Sequence, residues 1–306
     1  MLMRTMKKRL LLCGLTASLF AVAGSAADAP PLNLASLNSD TRPDAYAAAS
    51  PWEALNPRKL QLKSASALVV DRHGNEVYAK QADTPMPIAS ITKLMTAMVI
   101  LDAELPLQER ITITRNDRDR IRNTGSRLGF GATLTRGELL RLMLMASENR
   151  AASALARTWP GGKQEFVKAM NLKAFSLGMH DSRFTGPSGL DAGNIASARD
   201  LAKLVRTARE YPLIHKATTT RSISVKPWKG RGELTFRNTN RLLRNGNWEI
   251  QLSKTGYISE AGRCLTMQAE IADQPLTIIL LNSYGKLSPM GDSNRIRKWI
   301  QGGIES

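Results

Sequence analysis

Two parts of the chain alternate apolar and polar residues with the period of two that is typical of β-strands. Residues 66–71 and 76–80 show this alternation on either side of the polar turn 72–75, which predicts a β-hairpin. Further strands are predicted in the last third of the chain, at residues 248–254, 263–271 and 275–282. Candidate strands therefore lie at both ends of the part of the chain that we expect to fold.

Helical periodicity dominates the region between these strands. Apolar residues recur every three or four positions over four segments, which predict helices at residues 90–103, 137–146, 149–158 and 198–208. A closing amphipathic helix is predicted at 292–300, with Ile296, Trp299 and Ile300 on one side. Strands at both ends with helices between them indicate an α+β fold, a mixed sheet with a helical region inserted into it.

The N-terminal residues have the pattern of a secretory leader. Basic residues at positions 4–9 precede the uncharged run 10–24, and small residues follow that run. We therefore expect residues 1–27 to be a signal peptide that is cleaved near Ala26 or Ala27. The alternative is an uncleaved anchor, but an apolar run of about 15 residues is short for a membrane span of ~20 residues.

The rest of the chain divides by composition. Residues 28–58 are rich in Ala, Pro, Asn, Asp and Ser without periodicity, and we expect a flexible arm there. Residues 59–306 are long enough for a large core and short for two full domains, so a single domain is expected. Because no later segment approaches transmembrane length, we expect an exported protein of the periplasm without a stable membrane anchor.

The chain is strongly basic. It has 43 Lys and Arg residues against 26 Asp and Glu residues, a formal net charge of +17. Such a surface attracts nucleic acids, other anionic polymers or membrane surfaces. Export argues against a nucleic-acid partner, and no helix-turn-helix pattern supports one. Two interpretations remain open: attraction to anionic polymers or membranes of the cell envelope, or a charge that only aids solubility.

Cysteine and histidine contribute no chemistry to the sequence prediction. Loss of a leader would remove Cys13 and leave Cys264 without a disulfide partner, and its alternating apolar surroundings predict a buried small residue. The histidines His73, His180 and His215 lie far apart and have no partners at metal-ligand spacing. We therefore predict no metal site, no cofactor and no histidine base.

Three short motifs carry the candidate chemistry, and their order is the informative feature. Ser90-Ile-Thr-Lys93 is followed by Ser147-Glu-Asn149 and then by Lys254-Thr-Gly256. Singly, the first two patterns are expected about once each by chance in a chain of this length. Together they describe a serine acyl-transfer site in which a lysine takes the place of the usual histidine base.

Ser90 and Lys93 are predicted to lie side by side. Residues three apart share one face of a helix, and the apolar residues that follow predict a buried helix. Burial lowers the pKa of a lysine, and a second cation nearby, Lys254, would lower it further. Lys93 is thus a candidate base for Ser90. The alternative is that Ser90 caps the helix while Lys93 extends to solvent.

The other two motifs supply a candidate proton relay and a substrate edge. Ser147 is a candidate relay between Lys93 and a leaving amine, and Asn149 a candidate donor or acceptor for a substrate amide. Each of the two is equally interpretable as a local helix cap. The third motif is predicted at the end of strand 248–253, where its backbone would face an extended peptide.

The substrate-binding residues are predicted from that third motif. Lys254 and Thr255 are candidates for holding a substrate carboxylate, and Gly256 allows close approach of the backbone. The backbone N–H groups of Tyr257 and Ser90 are candidates for stabilising an oxyanion. The alternative is an ordinary turn after a strand.

These motifs resemble those of the penicillin-recognising serine peptidases, over nearly all of residues 60–300. Among these, the chain most resembles the D-alanyl-D-alanine endopeptidases of the penicillin-binding protein 7 type. Further stretches that carry the resemblance are Pro85-Met-Pro-Ile-Ala, Ser188-Gly-Leu-Asp191, Ala198-Arg-Asp-Leu-Ala202 and Glu260-Ala-Gly-Arg-Cys264. The resemblance implies a β-lactamase/transpeptidase-like fold, an antiparallel sheet flanked by helices with an all-helical subdomain.

The resemblance also implies roles and partners. Ser90 would be the acylated nucleophile, Lys93 the proton acceptor, Ser147 a proton relay and Lys254 the substrate-binding lysine. The substrates would be peptidoglycan peptides, and β-lactam antibiotics would be covalent inhibitors. D,D-endopeptidase is the expected activity. The alternatives are a D-alanyl-D-alanine carboxypeptidase or a penicillin-acylated sensor with little turnover, while rapid β-lactam hydrolysis is not expected because no E-x-x-L-N stretch follows Ser147.

Overall fold

A five-stranded antiparallel sheet organises the molecule. The computed structural model describes residues 52–244 and 246–304. The strands of the sheet are β1 (Ser64–Val70), β2 (Glu76–Lys80), β9 (Ile250–Ile258), β10 (Gly262–Ile271) and β11 (Gln274–Ser283). Their spatial order is β2-β1-β11-β10-β9, with antiparallel pairing throughout. Strand β9 is therefore at one edge of the sheet.

Six short strands form three two-stranded ladders outside this sheet. They are β3 (Met86–Pro87), β4 (Arg110–Thr112), β5 (Thr133–Thr135), β6 (Ile195–Ala196), β7 (Ser222–Val225) and β8 (Leu234–Arg237). The pairs are β3 with β6, β4 with β5 and β7 with β8.

Seven helices complete the described fold. They are α1 (Thr92–Asp102), α2 (Arg136–Met145), α3 (Asn149–Arg157), α4 (Gly162–Ser176), α5 (Ala198–Arg209), α6 (Pro212–Thr219) and α7 (Ser288–Ile304). None of the described helices is long and apolar enough to cross a bilayer.

The sheet separates two hydrophobic clusters because its strands alternate. Leu68 and Ile279 face a large cluster formed with helices α1 to α6. Val69 and Ile278 point to the opposite face, where Ile296 of α7 covers them. The period-two pattern in the sequence thus translates into a sheet that is buried on both sides. The α+β class and the flanked antiparallel sheet that the resemblance implied are both confirmed. The mixed sheet expected from the order of the elements is wrong, because every pairing in the sheet is antiparallel.

All of the predicted strands and helices are present, most of them with shifted ends, whereas two helices and the six short strands were not predicted. Helix α4 carries many charged residues, and its buried apolar residues, Phe166, Met170 and Ala174, recur only every fourth position. Helix α6 has only eight residues, and two of them are threonines. Both patterns predict a helix only weakly, because in short or polar segments tertiary packing decides the structure more than helix propensity or amphipathicity does.

The N-terminal boundary of the folded part also differs from the prediction. Trp52 and Leu55 are buried among residues of the sheet and α7, so residues 52–58 pack with the fold rather than belonging to the arm. The apolar pair at a spacing of three was the available signal. The predicted leader and the remainder of the predicted arm lie outside the described residues.

Candidate active site

Ser90 lies in a strained turn at the start of α1. Residues Ala89–Ile91 form a 3₁₀ turn that precedes the helix, and Ile91 is the N-cap of α1, so Ser90 lies one residue before the cap rather than at the start of the helix as predicted. Ala89 has a φ of 47°, in the left-handed region that is unfavourable for a residue with a Cβ. Backbone strain of this kind persists where the surrounding structure enforces it, and it clusters at functional sites.

Lys93 projects from the first turn of α1 into the interior. Its side chain is fully buried, as the apolar helix predicted. Its Nζ is 2.8 Å from Ser90 Oγ, 2.8 Å from Asn149 Oδ1 and 2.6 Å from the backbone oxygen of Ser188. The predicted proximity of Lys93 to Ser90 is therefore present in the structure.

The three partners of Lys93 indicate how an uncharged amine would be oriented. Asn149 Oδ1 and the Ser188 carbonyl can only accept hydrogen bonds, whereas the Ser90 hydroxyl can donate one. A neutral amine has two N–H groups and one lone pair. If the two N–H groups serve the two obligate acceptors, the lone pair faces the Ser90 hydroxyl. This is the orientation that a base for Ser90 requires.

The environment favours the uncharged amine. Burial lowers the pKa of Lys93 well below its usual value, and the nearby charge of Lys254 lowers it further. The carboxylate of Glu148 acts in the opposite direction and raises that pKa. Glu148 is 8% exposed, accepts a hydrogen bond from Ser126 Oγ at 2.6 Å and caps α3 through the N–H of Arg150. Sequence reasoning assigned Glu148 no role.

Ser147 contacts Lys254 rather than Lys93. Lys254 is 1% exposed, and its Nζ donates to Ser147 Oγ at 3.0 Å and to its neighbour's oxygen, Thr255 O, at 2.9 Å. Ser147 is thus bonded to Lys254 while Lys93 is bonded to Asn149 Oδ1, and the role of Ser147 as a relay between Lys93 and the leaving amine stays a prediction. Burial lowers the pKa of Lys254 to about 7. Ser147 has a φ of 59°, a second strained residue at the site.

Asn149 is held in one orientation by the loop at residues 119–124, which was not among the predicted motifs. Its Nδ2 donates to Thr124 Oγ1 at 3.2 Å, which fixes Oδ1 toward Lys93. Thr124 in turn donates to Asp119 Oδ2 at 2.7 Å, and Asp119 also accepts the N–H groups of residues 121, 122 and 124. Asn149 thus positions the amine of Lys93, and both of its amide groups have partners within the protein. Nothing in residues 119–124 resembled a motif by itself.

The third motif lies inside edge strand β9, not after it as predicted. Pairing with β10 continues through Ile258, which extends the strand past Gly256. A Cβ on Gly256 would lie 3.0 Å from Ala89 Cβ, from Ile88 O and from Ser90 N. A side chain at this position would force the strand or the Ser90 turn to shift. Strand β9 therefore lies directly against the Ser90 turn at Gly256.

Thr255 and Tyr257 lie on either side of this glycine. Thr255 Oγ1 donates to Thr239 Oγ1 at 2.7 Å, so a row of hydroxyl groups continues from the motif to the neighbouring loop. Tyr257 is 55% exposed, and the guanidinium of Arg263 stacks on its ring at 3.9 Å. The candidate nucleophile, relay, amide and strand edge all line one cleft of about 780 Å³.

Comparisons with known proteins agree with this geometry. A family model described as D-alanyl-D-alanine carboxypeptidase matches residues 53–285. The chain is 44% identical to a D-alanyl-D-alanine endopeptidase of Pseudomonas aeruginosa, over 85% of this chain and 84% of that one. It is 43% identical to a D-alanyl-D-alanine endopeptidase of Escherichia coli, over 79% of each chain.

Solved structures of the same fold include two related enzymes. The DD-transpeptidase of Streptomyces superposes with a TM-score of 0.73 at 26% identity, covering 79% of this chain and 98% of that one. Penicillin-binding protein D2 of Listeria monocytogenes, in its cefotaxime-bound form, superposes with a TM-score of 0.70 at 28% identity, again over 79% and 98%. Motifs, fold and relatives lead to one conclusion: the chain belongs to the D-alanyl-D-alanine carboxypeptidase family of serine peptidases.

Proposed function

We propose that the protein is a serine D,D-endopeptidase that hydrolyses D-alanyl cross-links between peptidoglycan peptides through an acyl ester at Ser90. The observation that carries this proposal is the 2.8 Å separation of Lys93 Nζ and Ser90 Oγ in a buried site. Two relatives at 43% and 44% identity bear the name of endopeptidase, which favours this activity over the carboxypeptidase alternative.

Acylation begins with proton transfer from Ser90 to neutral Lys93. The freed Oγ attacks the carbonyl carbon of the D-alanine residue, and negative charge develops on the carbonyl oxygen. The N–H groups of Ser90 and Tyr257 stabilise this oxyanion, since β9 runs beside the Ser90 turn. The bond to the leaving amine then breaks as the amine takes up a proton.

The Ser147–Lys254 pair supplies that proton in our proposal. A lysine whose pKa is about 7 holds and releases a proton near neutral pH, and its contact with Ser147 Oγ carries the proton toward the cleft. Before hydrolysis, Lys93 passes the proton that it took from Ser90 to Lys254 through Ser147 and solvent, which restores both amines. Lys93 then takes a proton from water, the hydroxide attacks the ester carbon, and Ser90 Oγ leaves with the proton that Lys93 returns.

β-Lactam antibiotics would enter the same path as far as the ester. Attack of Ser90 Oγ on the lactam carbon opens the ring, and the ring nitrogen stays attached to the acyl group. The cefotaxime-bound structure of the Listeria relative supports this part of the proposal. A protein of this kind would act in the periplasm after removal of the leader predicted at residues 1–27.

Defined muropeptides test the activity directly. The chain without its leader is incubated with cross-linked dimers and with uncross-linked pentapeptides, and products are separated by chromatography. We expect dimers to yield monomers, and the Ser90→Ala variant to leave dimers intact. Release of terminal D-alanine alone, with cross-links untouched, would replace the proposal by a carboxypeptidase. Acylation without any product would indicate a sensor.

A further inference from the structure

Three arginines line the cleft beyond the catalytic groups. Arg237 ends β8, and Arg241 and Arg244 lie in the 3₁₀ turn that follows, at residues 241–244. All three are exposed and all three line the same cleft as Ser90. We refer to Arg237, Arg241 and Arg244 as the arginine wall.

The backbone presents this wall by simple alternation. Arg237, Thr239 and Arg241 are exposed, whereas Asn238 and Asn240 between them are buried. A period of two turns the first set outward into the cleft, whereas the second set is buried behind it and still borders the cleft. Arg237 and Arg241 are therefore part of an ordered segment, and Arg244 follows in the 3₁₀ turn.

The two buried asparagines anchor that segment. Asn238 Nδ2 donates to the backbone oxygens of Thr218 and Thr220, each at 2.9 Å. Asn238 Oδ1 accepts from the N–H of Asn240 at 2.9 Å, and Asn240 Oδ1 accepts from the N–H of Leu242 at 3.0 Å. Such side-chain to backbone bonds fix the direction in which the intervening arginines leave the chain.

Asn240 has a further donor with no partner. Its Nδ2 is buried, lines the cleft side of the segment and makes no hydrogen bond within the described residues. Buried amide donors without an acceptor are rare in native proteins. An acceptor oxygen bound beside Arg241 is the kind of group that such a donor would meet after a small side-chain movement.

The electrostatic character of the cleft is one-sided. Six basic residues line it: Arg122, Arg237, Arg241, Arg244, Arg263 and Lys286. No Asp or Glu of the described chain is among the lining residues, and no ion pair of the arginine wall occurs among those residues. Of these six, Arg122 is paired with Glu260. Cations that have no such partner attract anionic ligands in a concave site and hold them there.

The wall lies on the amine side of the scissile bond. In the proposed function, Thr255 holds the carboxylate of a substrate, and in a terminal D-alanine that carboxylate follows the bond that breaks. Thr255 Oγ1 is hydrogen-bonded to Thr239, which lies between Arg237 and Arg241. The wall therefore continues the substrate path on the side from which the amine departs.

We propose that the arginine wall binds the carboxylates of a leaving peptide that carries two or more of them. This inference rests on the proposed function and deepens it. Removal of terminal D-alanine releases a product with one carboxylate, which Thr255 already receives. Cleavage of a cross-link releases a whole peptide with several carboxylates. The wall thus selects cross-linked substrates over terminal ones.

The test uses two synthetic cross-linked peptides that differ only on the amine side, one with free carboxylates and one with these groups amidated. The triple variant Arg237→Gln, Arg241→Gln, Arg244→Gln is compared with the unaltered protein. We expect kcat/KM for the free-carboxylate peptide to fall about tenfold and its salt dependence to weaken, because exposed charge pairs contribute modestly and are screened. For the amidated peptide we expect a fall below threefold.

A matched control removes three arginines outside the cleft: Arg58→Gln, Arg72→Gln and Arg141→Gln. It has the same net charge as the wall variant, so an equal fall in both variants would mean general steering and would overturn the proposal. Equal falls for the free and amidated peptides would also overturn it. Failure of penicillin to acylate the unaltered protein would instead refute the proposed function, which keeps the two failures distinct.

Discussion

The amide of Asn149 determines much of the chemistry at the residue scale. With Oδ1 on Lys93 and Nδ2 on Thr124, it gives the amine an obligate acceptor and thereby leaves the lone pair for Ser90. Two charges then adjust the pKa of Lys93 in opposite directions, Lys254 downward and Glu148 upward. The acidic limb of the acylation rate against pH should therefore respond to both.

We predict opposite shifts for two single substitutions. Glu148→Gln removes the carboxylate that raises the pKa of Lys93, so the amine stays neutral to lower pH and the limb moves to more acidic pH. Lys254→Gln removes the charge that lowers this pKa, so the limb moves to more alkaline pH. The measurement is the second-order rate constant of acylation by a penicillin, followed over about two pH units on either side of neutrality.

Structural damage by the substitutions would not move the two limbs in opposite directions, so opposite shifts identify an electrostatic effect on Lys93. A glutamine at 148 retains an oxygen that can accept from Ser126 and from the N–H of Arg150, so the cap of α3 is preserved. A general loss of packing would lower both rates without moving either limb. Shifts of the same sign in both variants would contradict the assignment of Lys93 as the base.

At this scale the sequence predicted the chemical groups better than their contacts. The three-residue spacing predicted that Ser90 and Lys93 lie side by side, and their side chains are 2.8 Å apart although Ser90 lies in the turn before α1. The partners of Ser147 and Asn149 could not be predicted, because they depend on how α3, β9 and residues 119–124 meet in space. Local spacing contains no information on such long-range contacts.

At the scale of elements, glycines allow the Ser90 turn to be held from two sides. Gly256 lets β9 approach one side, and Gly189 supports the other. A Cβ on Gly189 would lie 1.8 Å from Ala89 O, and its φ of +75° is itself in the left-handed region. The carbonyl that accepts from Lys93 belongs to the residue before it, Ser188.

We predict that Gly189→Ala lowers the free energy of unfolding by at least about 2 kcal/mol, because backbone must move and the residue is strained. The acylation rate should fall with it, since Ser188 O and the Ser90 turn shift. Denaturant unfolding and penicillin acylation measure the two effects. Gly186→Ala is the matched control, because no heavy atom lies within 4 Å of its added Cβ. A stable, fully active Gly189→Ala would show that this packing does not position the nucleophile.

The order of elements was predictable, and the extent of several was not. The apolar patterns identified all five strands of the sheet. Four of them bury apolar residues on both faces, whereas β2 packs the half-buried Val77 and Tyr78 against one cluster. The continuation of β9 past Lys254 to Ile258 was missed because a buried lysine and a glycine interrupt the strand pattern. Both residues belong to the candidate site, which is where sequence rules are expected to fail.

At the scale of the molecule, Arg122 connects the two walls of the cleft. It extends from the loop that holds Asn149, donates to Leu190 O at 2.6 Å and pairs with Glu260 at 2.7 Å in the β9–β10 turn. The hydrogen bond from Arg122 lowers the pKa of Glu260 to about 2, so the pair stays charged across the range of an acylation assay. The helical region and the sheet are thus joined at one end of the cleft.

We predict that Arg122→Ala slows acylation by about two- to fivefold, because an exposed ion pair contributes modestly and the backbone contact to Leu190 is also lost. Hydrogen exchange should quicken at residues 119–124, the loop that fixes Asn149. Arg118→Ala, an exposed position just before that loop, serves as the control and should leave both measurements unchanged. Unchanged exchange in Arg122→Ala would mean that the loop is ordered without this connection.

The central claim, that Lys93 deprotonates Ser90 for covalent catalysis, is tested most directly by intact mass after brief exposure to a penicillin. We expect one adduct per chain, carried by the peptide that contains Ser90. We expect no adduct on Ser90→Ala and much slower formation of the adduct on Lys93→Ala. An adduct of undiminished yield on Ser90→Ala, or one that forms at an unchanged rate without the amine of Lys93, would contradict the account.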